Sequence, residues 1–146
     1  MPFVSSNYAT HPDAPKDKWV CTRISTLGPY SAHPETGTRS DPNYCGQCVS
    51  YVTTVCPTIP VQTSKWKKGV PVKGNETIAE GTAIATFNAA GSYHGHAAIY
   101  VSQDDTGIHV YDQWITGAGK PVGPRIIKWN GSGVSNNGEG FYVIEN

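Results

Sequence analysis

The segment DPNYCGQCVSYVTTVCP, residues 41–57, contains three of the four cysteines of this chain. Cysteines in this arrangement can form a disulfide, bind a metal, exchange electrons as a dithiol or supply a reactive thiolate. Cys45 and Cys48 form a CxxC pair, but no second CxxC or HxxxH pair follows, so a metal site would need the distant His94 and His96. A redox CxxC is typical of a strand-to-helix junction in a βαβ unit, which the later strands do not resemble. We therefore favour a nucleophilic cysteine and expect no metal and no cofactor.

Cys48 is the cysteine that falls in the first turn of a predicted helix, and Cys45 is its competitor. Apolar residues from Val49 onward recur at helical spacing, and Pro57 ends the run. This pattern predicts a helix that starts near Gly46 or Gln47, with a strand as the alternative. A thiol at a helix N-terminus faces unpaired backbone N–H groups, which lower its pKa from about 8.5.

A nucleophilic cysteine needs a base and a group that orients this base. His96, in YHGHAAIYV, stands at the start of an apolar strand, where an imidazole can face a helix N-terminus packed on the sheet. Asp112 and Gln113, in GIHVYDQW, follow one strand later. Their separation from His96 fits neighbouring antiparallel strands joined by a turn, so either side chain could orient the imidazole.

The apolar pattern of the chain predicts an α+β fold, in which one helix packs on a small antiparallel half-barrel sheet. Residues 1–40 are rich in proline, glycine and turn sequences and predict an extended arm, and residues 41–146 predict the core. At 146 residues the whole chain is most simply one domain. The predicted strands are 82–87, 96–103, 107–114, 125–129 and 141–145.

Charge and hydropathy exclude several classes of partner. The 11 basic and 11 acidic residues cancel and form no basic stripe, so we expect neither nucleic acid nor a membrane as a partner. No apolar run approaches the length of a membrane span, and the N-terminus lacks the pattern of a secretory signal peptide. We expect a monomer that is exported by a specialised route, has lost its signal or stays in the cytosol.

Several motifs resemble a known superfamily. GQCVSYV resembles the cysteine motif of CHAP domains, and GHAAIYV resembles the histidine motif of the wider group that includes NlpC-type cell-wall peptidases. EGTAIATF is similar to the strand that precedes the histidine strand. GIHVYDQW, with the segments GKPVGPRIIKW and NNGEGFYVIE, is similar to small papain-like amidases associated with bacterial type VI secretion effectors. The resemblance covers roughly residues 40–145, and we find none in the first forty residues.

This resemblance implies a papain-like fold and a hydrolase, a cysteine peptidase or amidase, that cleaves amide bonds in peptidoglycan stem peptides or cross-links. Carried over residue by residue, it implies Cys48 as nucleophile and His96 as general base. The third residue falls on Asp112, with Gln113 as the second choice. It also implies antibacterial action in the periplasm or the extracellular cell wall, and a proteinaceous immunity inhibitor as a partner. The alternatives are a cell-wall-binding module without catalysis, or a thiol acyltransferase on the same fold.

Two further sets of residues complete the predictions. The oxyanion of the reaction would be held by the backbone N–H of Cys48 together with Tyr44 or Gln47. A free Cys48 leaves three cysteines, of which Cys21 could pair with Cys45 or with Cys56. The residues predicted to line the substrate cleft are Tyr93, His94, Trp114 and Arg125.

Overall fold

The computed structural model describes residues 1–146 and shows an α+β fold with one α-helix, α1, at Cys48–Val55. Strands β1 and β2 form a small sheet, and the other six form a sheet in the order β3-β8-β4-β5-β6-β7. None of the helices has the length and apolar character that a membrane crossing requires. The strands are β1 Trp19–Val20, β2 Tyr30–Ser31, β3 Lys67–Pro71, β4 Ala83–Phe87, β5 Tyr93–Gln103, β6 Gly107–Trp114, β7 Lys120–Lys128 and β8 Phe141–Glu145. Short 3-10 helices lie at Thr63–Lys65, Val134–Asn136 and Gly138–Gly140.

Every strand pair in the large sheet is antiparallel, and α1 precedes all six of its strands, as predicted. Strands β6 and β8 have the predicted bounds, whereas β5 and β7 begin three and five residues earlier than predicted. Strand β3 was not predicted. Its sequence, KKGVP, has no apolar alternation because β3 is an exposed edge strand that pairs only with β8.

The core lies on both faces of the large sheet, since successive residues of a strand point to opposite faces. Ala97 and Ile99 of β5 pack on the face that is covered by Tyr51, Val52 and Val55 of α1. This contact is what places the N-terminus of α1 beside β5. Ala98 and Tyr100 of β5 face the other side. There they pack with the following apolar side chains: Ile84, Ile108, Val110 and Phe141.

The N-terminal arm packs on the core and is covalently attached to it. Phe3 and Val20 are buried in the same apolar cluster as the helix. A disulfide joins Cys21 to Cys45, which resolves the two pairings left open by the sequence. Cys45 is therefore not available as a nucleophile or as a metal ligand, and Cys48 and Cys56 are the free cysteines.

Candidate active site

The thiol of Cys48 lies at the N-terminus of α1, of which Cys48 is the first residue. Gln47 caps the helix through extended backbone, without a side-chain hydrogen bond to the first turn. Gly46 turns the chain into the helix with a φ of 102°, and a Cβ there would lie 2.2 Å from Cγ2 of Ile115. Only glycine fits this turn without displacement, so the sequence GQC fixes where the helix starts.

The imidazole of His96 lies between the thiol and a carboxylate. His96 is 3% exposed, and its backbone N–H donates to Oγ1 of Thr86 at 3.0 Å. Nε2 of its ring donates to Oδ2 of Asp112 at 2.8 Å. The ring and the thiol of Cys48 line the same cleft, and each shifts the pKa of the other.

Electrostatics favour a charged pair of thiolate and imidazolium. Burial raises the pKa of Cys48, but the hydrogen bond and charge of His96, with hydrogen bonds from Tyr93 and the Ala97 N–H, outweigh it and lower that pKa. Burial likewise lowers the pKa of His96, but its hydrogen bonds to Asp112 and Cys48 and their charges raise it to about 9. The two shifts act in the same sense, and together they favour the proton on the imidazole over the proton on the thiol.

Asp112 is fully buried and accepts hydrogen bonds from three cationic side chains. Its Oδ2 accepts from His96 and from Arg125, and its Oδ1 lies 3.2 Å from Nζ of Lys120. Burial alone would raise the pKa of this carboxyl, but the His96 hydrogen bond and the charges of Arg125, His96 and Lys120 lower it to about 2. Asp112 is thus ionised over the whole range in which the protein is expected to work.

The thiol opens into a cleft of about 230 Å³. Its walls combine polar side chains with the apolar side chains of Trp114 and Ile115, which suits a substrate with both peptide groups and apolar parts. The cleft is lined by Gln47, Cys48, Gly95, His96, Trp114, Ile115, Thr116, Arg125, Ser135 and Asn136.

Three of the four predicted cleft residues lie at the site. The hydroxyl of Tyr93 is 3.3 Å from Sγ of Cys48, the ring of Trp114 is edge-on to His96, and Arg125 lines the cleft. His94 was predicted wrongly, because its side chain is exposed and lies outside the cleft. The pairing of β5 with β4 shifts register at this point, and Gly95 has a φ of 110°, so the regular alternation of β5 does not reach His94.

The remaining predicted residues have different surroundings. Gln47 lines the cleft beside Cys48. Tyr44 lines a separate cavity together with Val49, so its side chain does not face the thiol. Gln113 does not face the imidazole either. Its side-chain amide bonds to both backbone groups of Val20 and donates to the carbonyl of Gln47 at 2.8 Å.

Lys120 and Thr86 contribute to the site and were missed from the sequence. Lys120 lies in the segment TGAGK, which has the composition of a loop. The signal that could have found Lys120 is the buried carboxylate, because an ionised Asp112 in the core requires cations on the adjacent strand. No sequence pattern marks Thr86, because its contact is a hydrogen bond to the backbone N–H of His96.

Comparisons with known proteins show the family to which this chain belongs. The family described as "Dae2: Domesticated amidase effector 2" matches residues 19–144. The match begins before residue 40, so our restriction of the resemblance to 40–145 was wrong. Strand β1 and both cysteines of the disulfide therefore lie within the matched residues.

Two curated relatives and one solved structure are similar to this chain. "Domesticated amidase effector 2" of Ixodes scapularis is 44% identical over 103 residues, which cover 68% of this chain and 70% of that protein. "Type VI secretion amidase effector 2 protein" of Salmonella typhi is 40% identical over 99 residues, or 58% of this chain and 74% of that protein. The solved structure "Type 6 secretion amidase effector 2 (Tae2)" superposes with a TM-score of 0.58 at 37% identity, covering 68% of this chain and 80% of that one. This chain therefore belongs to the domesticated amidase effector 2 family.

Proposed function

We propose that this chain is a cysteine amidase that hydrolyses amide bonds in the stem peptides or cross-links of peptidoglycan. One observation carries the proposal: the imidazole of His96 bonds to the carboxylate of Asp112 and lines the same cleft as the thiol of Cys48. Such an arrangement activates a thiol for acyl transfer. The relatives of the chain are named amidase effectors, which agrees with this chemistry. Its fold would be the papain-like one, with the large sheet curved as a half barrel.

The first step of the proposed reaction is attack by the thiolate. Sγ of Cys48 forms a bond to the carbonyl carbon of the scissile amide, and the C=O electron pair moves onto oxygen. The backbone N–H groups of Cys48 and Val49 have no backbone acceptor, unlike that of Ser50, so they can hold this oxyanion. The side-chain amide of Gln47 lines the same cleft and is the second proposed donor. A donor of this kind lowers the activation free energy by about 3–4 kcal/mol.

The second step breaks the amide bond. The imidazolium of His96 gives its proton to the leaving nitrogen, so the amine departs and a thioester remains on Cys48. His96 then takes a proton from water, which attacks the thioester and releases the acid. Asp112 stays ionised throughout, holds Nε2 of the ring and stabilises the imidazolium.

We also propose that residues 1–146 form one domain in which the arm, residues 1–40, is part of the catalytic unit. The burial of Phe3 and Val20 in the core and the disulfide to Cys45 support this. The enzyme would act as a monomer in the periplasm or the outer cell wall, and a proteinaceous immunity inhibitor would bind over the cleft.

Digestion of purified sacculi tests the proposal. Wild type, Cys48→Ala and the control Cys56→Ala are incubated with sacculi, and the soluble muropeptides are separated. Cys56 is also a free cysteine, but it is buried away from the cleft. We expect products from the wild type and from Cys56→Ala and none from Cys48→Ala.

Other outcomes would identify the alternatives. Unchanged digestion by Cys48→Ala removes the thiol from the mechanism. Sedimentation of the wild type with sacculi without any products indicates a binding module. Products that carry an added amine in place of a free acid indicate a thiol acyltransferase.

A further inference from the structure

We propose that Arg125 is a positioning residue whose single guanidinium group fixes both the carboxylate of Asp112 and the cleft wall formed by Ser135 and Asn136. The inference rests on the amidase function proposed above and adds a residue to its machinery. Arg125 acts through these groups and does not itself touch the reacting atoms.

The contacts with Asp112 place Arg125 directly behind the imidazole. Nε and Nη2 of Arg125 lie 2.9 Å and 2.8 Å from Oδ2 of Asp112. The same oxygen accepts the hydrogen bond from Nε2 of His96 at 2.8 Å. The oxygen that orients the imidazole is therefore itself oriented by the planar fork of the guanidinium.

The opposite side of the guanidinium holds the wall of the cleft. Nη1 donates to Oδ1 of Asn136 at 3.0 Å, and Nη2 donates to the carbonyl of Ser135 at 3.3 Å. Both residues belong to the 3-10 helix Val134–Asn136, which has no side-chain cap at its N-terminus. Such a short helix has few hydrogen bonds of its own, so its position depends on bonds to the body of the protein.

Arg125 is not placed to bind the substrate by charge. Each of its three nitrogens already has a protein partner, and the guanidinium lies 4.7 Å from the centre of the Trp114 ring. Its side chain is 14% exposed. The charge is thus paired with Asp112 within the protein. The side chain of Arg125 also connects this carboxylate to the cleft wall at Ser135 and Asn136.

Lys120 provides a comparison, because it also faces Asp112. Its Nζ bonds to Oδ1 and the carbonyl of Asp112 and to the carbonyl of Gly123. None of these partners belongs to the cleft wall at Ser135 and Asn136. Lys120 shares the electrostatic role of Arg125, but Arg125 alone joins the carboxylate to the wall.

Loss of the guanidinium charge should shift the pKa values of Cys48 and His96 in a known direction. A cation beside the pair attracts the thiolate of Cys48 and repels the imidazolium of His96. Its removal raises the pKa of both groups, so the pH profile of the thiol moves to higher pH. The ionisable groups around Asp112 are His96 on β5, Lys120 and Arg125 on β7 and Tyr51 on α1, with Cys48 and Tyr93 beyond His96 and Asp17 near Lys120.

The test compares Arg125→Gln and Arg125→Lys with the control Lys128→Gln, which changes an exposed cation of the same strand. The rate of iodoacetamide alkylation of Cys48 is measured against pH, and kcat and KM are measured on a soluble muropeptide. For Arg125→Gln we expect a profile moved up by about half a pH unit or more. We also expect a kcat/KM about 10- to 100-fold below wild type, the range for partners that orient a functional imidazole.

Arg125→Lys separates the two roles, because lysine keeps the charge but cannot form the fork. We expect it to keep the wild-type alkylation profile and to raise KM, since the cleft wall loses its hydrogen bonds to the guanidinium.

Wild-type alkylation profiles and wild-type KM in both variants would overturn the inference. It would also be overturned if Arg125→Gln only lowered the folded fraction, with the profile and KM of that fraction unchanged. If Arg125→Gln does not fold, the KM of Arg125→Lys tests the inference: a raised KM supports it, and a wild-type KM overturns it. If wild type hydrolyses nothing, the proposed function fails, and the alkylation profile decides the inference by itself.

Discussion

Replacement of Asp112 by asparagine tests how the buried charges operate the site. The substitution keeps the shape of the side chain and removes its negative charge. Nε2 of His96 then faces a neutral amide in place of a carboxylate. Arg125 and Lys120 lose their common counter-charge at the same time.

The structure sets the size of the effect on His96. Its pKa is about 9 in the folded protein, against an ordinary value of 6.5. At 1.36 kcal/mol for each unit of pKa, the folded protein favours the imidazolium by about 3 kcal/mol. The raised pKa means that this stabilisation is complete below pH 6.5 and is lost as the pH rises through about 9. The Asp112 hydrogen bond is the largest contribution that raises this pKa. Without it, we expect the alkaline limb of activity to move from about 9 to lower pH, by about one unit or more.

The same substitution destabilises the fold. Removal of one partner from a buried ion pair costs about 3–5 kcal/mol. We expect the lower value, since the side chains of Lys120 and Arg125 are 21% and 14% exposed and can gain some hydration. The unfolding entropy is about 2.1 cal/mol/K per residue, so a loss of about 3 kcal/mol lowers the Tm of this chain by about 10 °C.

The assay is muropeptide release against pH, together with thermal unfolding. Asp104→Asn is the matched control, because Asp104 forms the same kind of pair with His109, with a 2.7 Å distance, at the exposed surface. We expect Asp112→Asn to lose at least about 100-fold in kcat/KM at pH 8, and Asp104→Asn to resemble the wild type. An Asp112→Asn protein whose alkaline limb stays near 9 would refute the assignment of Asp112 as the group that charges His96.

Two further variants test how the start of α1 is held. The pair Cys21→Ala and Cys45→Ala opens a loop of 24 residues, and the unfolding free energy measured in urea should fall by about 3.5 kcal/mol. Gly46→Ala forces a Cβ to within 2.2 Å of Ile115 at a φ of 102°. We expect a loss of about 2–4 kcal/mol in stability, and slower alkylation of Cys48, measured with iodoacetamide.

Each of these predictions has a matched control. Reduction of the wild-type disulfide should lower the unfolding free energy by the same amount as the double substitution. Reduced Cys56→Ala should have the unfolding free energy of reduced wild type, apart from the small loss of packing at Cys56. Gly91→Ala places a Cβ at a φ of 83° with no atom within 4 Å, so it shares the backbone strain of Gly46→Ala without the collision. Equal losses from the two glycine substitutions would show that contact with Ile115 does not position the thiol.

The placement of Cys48, His96 and Asp112 near one another could be predicted because it follows from short-range rules. A cysteine in the first turn of a helix and a histidine at the start of a strand have directions set by local structure. Asp112 is close to His96 because β5 and β6 are antiparallel neighbours, paired at Tyr100 and Val110. Diagonal neighbours across such a pair lie within reach of each other.

The long-range contacts could not be predicted, because their sequence signals are weak or ambiguous. Lys120 and Pro121 begin β7 although KPVGP has the composition of a turn, since pairing with β6 outweighs the local preference. Strand β3 is held by backbone bonds to β8 and needs no apolar side chains. The contacts of Gln113 depend on where the arm lies, which no local pattern encodes.

Consecutive residues of β6 position the two halves of the site. Asp112 orients His96, and Gln113 bonds to the backbone of Val20 and to the carbonyl of Gln47, the residue before the thiol. Val20 in turn accepts a hydrogen bond from the N–H of Gly46 at 2.9 Å. The helix that carries Cys48 and the strand that carries His96 are thus both held by adjacent residues of β6. A displacement of this strand would move both groups together, so the distance between thiol and imidazole is less sensitive to motion of the sheet than if each group were held separately.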